Sequence, residues 1–259
     1  MRLLAIVFLV FINLTPLGLS FRTYEAVPAG AKKLMKCYPD FITGYKDNYL
    51  LFKNGSKVKW DDGISNKPYS QLLDAPDLKD MFSQAYSVGK LDEPIVKDFE
   101  PGRIRNTDFF KAIYGETEAD VKKNLVEITW CPKLVGEKIS VTRVNDVYKQ
   151  VERISAELDE HPELKPYLKD IGGSFLWRKI KGTNRQSMHS FGMTIDINTK
   201  YSDYWEWTCK CTDESRYMAY KNRIPQLIVD IFERHGFIWG GKWYHYDTMH
   251  FEYRPELIN

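Results

Sequence analysis

The chain has 259 residues, 43% of them hydrophobic and 14% aromatic, which is enough for one large folded domain or two small ones. Its 37 basic and 35 acidic residues leave a formal net charge of +2, and no basic block breaks the balance. A nucleic-acid partner therefore has no electrostatic support, and no segment approaches the roughly 20 apolar residues of a membrane span.

The first twenty residues have the order of a secretory signal. Met1-Arg2 is followed by an apolar run from Leu3 to Ile12, and small residues, Gly18 and Ser20, precede a cut after Ser20. That cut leaves an exported protein, periplasmic or secreted, with no stable membrane span, and a monomer is expected. Four cysteines, Cys37, Cys131, Cys209 and Cys211, make an even set in an oxidising compartment. A bond across the single residue between Cys209 and Cys211 would be strained, so bridges from this pair to Cys37 and Cys131 are expected.

Residues 21–135 read as short mixed elements of unassigned role. Tyr49 to Trp60 predicts a hairpin, with Asn54-Gly55 in a tight primed turn. Asp77 to Tyr86, opened by Pro76, and Ala119 to Val126 predict short helices.

Residues 136–259 are better patterned. Lys138 to Val144 predicts a strand, after which Asn145 caps a helix with Val147, Val151, Ile154 and Leu158 on one face. Gly172 to Ile180 and Ile195 to Asn198 predict two further strands. Ile224 to His235 predicts a helix with Pro225 in its first turn and Gly236 at its stop. Phe237-Ile-Trp239 and His250-Phe-Glu-Tyr253 complete the set, so the expected class is α+β: a small antiparallel sheet with helices packed on one side.

Ser187-Met-His-Ser-Phe-Gly-Met-Thr-Ile-Asp196 and Trp243-Tyr-His-Tyr-Asp-Thr-Met-His-Phe-Glu252 carry the candidate chemistry. His189, Asp196 and His250 offer two imidazoles and a carboxylate, a set that suits zinc and leaves a fourth position for water. Asp247, three residues before His250, is the carboxylate available to take that water's proton. An odd offset separates His189 from Asp196, so a turn at Gly192 is needed for the two to converge. Glu252 is expected to support a ligand or pair locally, and Arg103 and Arg105 to lie in a solvated turn. His245 is a candidate neighbour of the ligands or an alternative ligand; His161 and His235 read as ordinary histidines. Trp243 is the tryptophan expected nearest the site.

These two motifs resemble the zinc D-alanyl-D-alanine carboxypeptidase family, which includes L-alanyl-D-glutamate endopeptidases and D-Ala-D-Ala dipeptidases of bacterial cell walls. The resemblance covers roughly Gly173 to Arg254 and implies zinc on His189, Asp196 and His250, with Asp247 as general base and acid. It implies that Arg178 steadies the oxyanion and that Ser187 lies at the site floor, with Arg185 and Trp243 as further substrate-binding candidates. Residues 136–259 would then be the catalytic domain, 21–135 an appended α+β region and 1–20 the signal. The substrate implied is the peptidoglycan stem peptide, cut by a D,D-carboxypeptidase. An L-alanyl-D-glutamate endopeptidase or a zinc-containing wall-binding module without turnover is the alternative.

Overall fold

The computed structural model describes residues 26–91, 95–213, 216 and 219–258; the expected signal, residues 1–20, lies outside them. The N-terminal half opens with helix α1 (Ala29–Cys37) and a meander of strands β1 (Ile42–Lys46), β2 (Tyr49–Phe52) and β3 (Lys57–Lys59). The three pair antiparallel in the order β1-β2-β3, with Leu50 opposite Val58, so the expected hairpin forms. Its connection is four residues long rather than a two-residue primed turn. Gly55 has a positive φ of 84°, and the Asn54 carboxamide instead accepts hydrogen bonds from the Ser56 amide and hydroxyl.

Helix α2 (Tyr69–Asp74) follows, but the helix expected over Asp77 to Tyr86 is reduced to a 3-10 turn, Asp80–Phe82. Asp77 and Asp80 accept hydrogen bonds from each other's backbone amides, and both face the buried Lys67 ammonium. Those local bonds compete with a helical ladder. Helices α3 (Thr107–Tyr114) and α4 (Glu118–Lys122) come next, α4 opened by a Thr117/Asp120 capping box. Leu125 and Val126, expected to be helical, instead begin strand β4 (Leu125–Trp130).

Strand β4 pairs along its length with β5 (Glu137–Thr142), and both pack beneath helix α5 (Val147–Leu158). Val147, Val151, Ile154 and Leu158 of α5 are fully buried. Asn145 does not cap this helix. It takes a left-handed conformation, φ 51°, and its side chain donates to the Cys37 carbonyl.

After the short helix α6 (Lys165–Leu168), the segment Gly172 to Ile180 is not the expected strand. It makes isolated bridges from Gly173 to Asp196 and from Lys179 to Gln186, and Gly173 has a φ of +144° that interrupts any regular ladder.

The last sheet has the order β6-β8-β7, built from β6 (Thr194–Asp196), β7 (Phe237–Trp239) and β8 (His250–Tyr253), all antiparallel. Helix α7 (Trp205–Cys209) lies between β6 and helix α8 (Gln226–Arg234), and helix α9 (Pro255–Ile258) ends the described chain. On β8, Phe251 stacks on Phe232 of α8 with ring centroids 3.9 Å apart, which seals one face of the sheet. His250 and Glu252 alternate with Phe251 and so point to the other face. The architecture is α+β, and one hydrophobic cluster runs from Ala31 and Leu34 of α1 through α5 to Phe237 and Tyr253.

Cys209 and Cys211 are bonded to each other, in place of the expected bridges to Cys37 and Cys131, which are free. Lys210 adopts a left-handed conformation, φ 53°, at the end of α7, so the chain doubles back and brings the two Cα atoms to 5.2 Å. Cys131 is sealed in the core, where burial pushes its thiol pKa up to about 12.

Candidate metal centre

Three different elements supply the central cluster. Asp196 and His250 are directly opposed across β6 and β8. His189 sits on a 3-10 turn, Met188–Phe191, that ends at Gly192 with a left-handed φ of 66°. A side chain there is doubly opposed, by the positive φ and by Leu125 Cδ2, which would lie 2.7 Å from a Cβ. Gly192 is thus the turn that re-aims the chain between the first two candidates.

His189 Nε2 lies 3.1 Å from Asp196 Oδ2, and His250 Nδ1 lies 2.9 Å from Asp196 Oδ1. One nitrogen or oxygen from each residue falls within 4.8 Å of the others. Two imidazoles and a carboxylate converging in this way are a donor set that fits zinc. On its far side, His250 Nε2 is 3.3 Å from Glu252 Oε2. With Nδ1 facing the cluster, Nε2 carries the proton given to Glu252, an arrangement that fixes tautomer and ring plane together.

The electrostatics agree. Burial favours the neutral forms throughout, yet His189 and His250 outweigh it and hold Asp196 well below the usual carboxylate range. Burial likewise pulls His250 down, but Asp196 and Glu252 overcome it and set its pKa near 10. Glu252 is driven low against its own burial by Arg105, with His250 and Arg254 adding to the effect. A cation at the cluster would have to displace the proton that His250 holds on Nδ1.

Asp247, in the loop before β8, moves the other way. Burial and the negative charge of Asp196 push its pKa up to about 6. Its Oδ1 is buried without a hydrogen-bond partner among the described residues, an orphaned acceptor next to a candidate cation site.

Asp247, the three cluster residues, Arg178, Ser187 and Trp243 line one cavity of about 280 Å³. Ser187 is buried, with its amide bonded to the Arg178 carbonyl, whereas Arg178 is exposed at the cavity edge. Arg185 is not in that cavity. It borders a larger groove of about 1080 Å³ and lies 3.5 Å from Asp74. The groove and cavity share Arg103, Arg105, Ile180, Lys181, Tyr204, Trp205 and Glu206, so the two adjoin.

Glu100 and the buried partners of Arg103 and Arg105 escaped the sequence reading. His245 borders the cavity without joining the cluster, because the buried Glu100 carboxylate accepts from its backbone amide at 2.8 Å and contacts its Nδ1. Arg105, expected in a solvated turn, is bonded to Glu252. Arg103 of the same turn reaches Glu100 and the Tyr69 hydroxyl. Glu252 supports His250, as the motif had suggested. Of the other tryptophans, Trp205 borders both cavities, Trp239 is in the core and Trp207 is exposed. His161 faces Glu163, and His235 faces Glu157 from the end of α8.

The fold and site define a class: an α+β protein whose small antiparallel sheet carries a His/Asp/His cluster able to hold a metal ion. A family model described as D-alanyl-D-alanine carboxypeptidase matches residues 181–253, a stretch that contains His189, Asp196, Asp247 and His250. The match bears out the resemblance seen in the motifs over that stretch; Arg178 lies just before the matched segment. No curated protein and no solved structure matches the chain.

Proposed function

We propose that the protein is an exported zinc peptidase that hydrolyses peptide bonds in the stem peptides of bacterial peptidoglycan. The observation that carries this reading is the convergence of His189, Asp196 and His250 within ligand distance beside the orphaned carboxylate of Asp247. When bound there, zinc supplies Lewis acidity that makes water acidic enough to ionise near neutral pH. Asp247 accepts the proton from the attacking water and later returns it to the leaving amine. Arg178 offsets the charge that grows on the carbonyl oxygen as water adds, and Ser187 forms the floor beneath it. Trp243 borders the substrate chain next to His250, and Arg185 meets the substrate further out, in the groove. Residues 136–259 are the catalytic domain in this reading, and 21–135 supply one groove wall. Export through residues 1–20 would bring the monomeric enzyme to its substrate.

The D,D-carboxypeptidase type rests on the description of the matching family and on the exposed cationic side chains that line the cavity, Arg178 and Lys181. An L-alanyl-D-glutamate endopeptidase is the second reading. It is favoured by the larger groove that adjoins the cavity, since a cut within a chain needs room for substrate on both sides of the bond. Incubation with a peptide ending in D-Ala-D-Ala and with intact muropeptides, followed by mass identification of the products, separates the two. Release of a single terminal D-Ala supports the first, and internal fragments support the second. One bound zinc with no cleavage of either would leave a wall-binding module.

A further inference from the structure

We propose that Arg105, carried by the N-terminal half, is a positioning residue of the metal centre: its guanidinium holds Glu252, and Glu252 holds His250 in its ligand orientation. This inference rests on the zinc reading of the cluster. It concerns how the site is kept in shape rather than which bond is cut.

Glu252 is fully buried, and both of its oxygens are used. Arg105 Nε lies 3.2 Å from Oε1 while Arg105 Nη2 bonds Oε2, so the planar fork grips the carboxylate at both ends. Oε2 is also the atom facing His250 Nε2. Arg254 contributes a single contact from Nη1 at 3.1 Å, and its remaining bonds run to Glu256 and the Gly102 carbonyl.

A second contact reaches the same imidazole by a different route. The Arg105 guanidinium lies over the Trp243 ring, 5.3 Å from its centroid, and that ring stands 5.6 Å from the His250 ring. Arg105 therefore touches both the carboxylate that fixes the proton of His250 and the indole that borders its ring.

The turn that carries Arg105 is anchored to the catalytic half along its length. Trp243 Nε1 donates to the Pro101 carbonyl at 2.9 Å, and Arg254 Nη1 donates to the Gly102 carbonyl at 2.8 Å. Glu100 accepts from the His245 amide. Gly102 has a φ of +89°, and a Cβ there would lie 2.2 Å from Ile238 Cδ1, so the backbone passes directly against β7. Moving the turn away would strand several buried polar groups at once.

Loss of Arg105 removes the fork that holds the Glu252 carboxylate in place and frees it to swing, and His250 then loses its fixed ring plane. Outer partners of this kind are typically worth about 10- to 100-fold in metal affinity. The test uses the full chain, with zinc affinity read by competition against a chromophoric chelator and ligand geometry by the visible spectrum of the cobalt-substituted protein. Arg105→Gln should lower zinc affinity about 10- to 100-fold and shift the cobalt bands, with Arg105→Lys intermediate because it keeps the charge but loses the fork. Thermal unfolding in chelator checks that each variant is folded. In a Glu252→Gln background, Arg105→Gln should have a clearly smaller effect, since the Glu252 contact is already weakened and the Trp243 contact is what remains.

Zinc affinity within about twofold of the parent and an unchanged cobalt spectrum in Arg105→Gln would overturn the proposal. So would an undiminished effect in the Glu252→Gln background. Should Arg105→Gln fail to fold, Arg105→Lys decides: a folded variant with weakened zinc supports the role, and one with parental affinity removes it. If the parent itself takes up no zinc, the metal reading falls and this inference with it; if only the variants match the parent, the metal reading stands alone.

Discussion

Asp247 lines the cavity and Glu100 is buried against His245 at its border, and their surroundings drive the two carboxylates in opposite directions. Asp247 has burial and the charge of Asp196 against its ionised form, which brings its pKa to about 6. A group poised there can both take and return a proton near neutrality. Asp247→Asn keeps the shape but cannot accept the proton, so turnover of a wall peptide should fall by about 10²- to 10⁴-fold. Zinc content by elemental analysis should remain at the parental level; a parallel loss of metal would make Asp247 a ligand instead. Glu100 is buried too, yet Arg103 and His245 outweigh burial and lower its pKa. A carboxylate depressed in the folded state stabilises the fold above its ordinary pKa and loses that contribution as pH falls through the depressed value. Glu100→Gln should therefore cost about 3 kcal/mol at pH 7, as expected for breaking a buried pair. The gap to the parent in urea unfolding should narrow below about pH 4, with an equal cost at every pH contradicting this account.

At the scale of elements, strand period and one turn bring the cluster together. Asp196 and His250 share a face because they are opposed across β6 and β8, and Glu252 joins that face because it lies two residues further along β8. His189 joins them only through Gly192. Gly192→Ala should cost about 1–3 kcal/mol through its left-handed φ, with the Leu125 contact adding to it, as read by the unfolding midpoint. It should also weaken zinc binding, since His189 would lose its aim; stability lost with parental zinc affinity would show the turn to be scaffold only. Helices α5 and α8 and strands β5 to β8 were readable because their apolar periodicity is strong and locally complete. The Asp77 to Tyr86 and Gly172 to Ile180 segments were not. In the first, Asp77 and Asp80 spend their bonds on backbone amides and Lys67; in the second, the backbone bonds to Asp196 and His189 instead of forming a ladder. The Cys209–Cys211 bond was missed for a similar reason, since it depends on the left-handed Lys210 that no spacing rule conveys.

At the scale of the whole molecule, the two halves share their core and their polar contacts. β4 pairs with β5 along its length, the Tyr38 hydroxyl donates to Glu256 at 2.7 Å, and the turn carrying Arg105 is bonded to Glu252, Trp243 and Arg254. Among the described residues no helix is long and apolar enough to cross a membrane. A chain of residues 136–259 alone would leave β5 without its partner and expose the underside of α5. It should fail to give the cooperative thermal transition and dispersed amide spectrum of the full chain; a well-folded fragment that binds zinc would show that the first half is dispensable. The residue types and their order within two short motifs determined the metal-ligand and general-base candidates, and the succession of strand-like and helical pieces determined the α+β class, because coordination chemistry and strand alternation are local properties of sequence. Which arginine pairs with Glu252, where Glu100 and His245 lie, and which cysteines are bonded were decided only by the tertiary structure. Those contacts join residues as much as 147 positions apart, and buried charges find their partners only once the chain has packed.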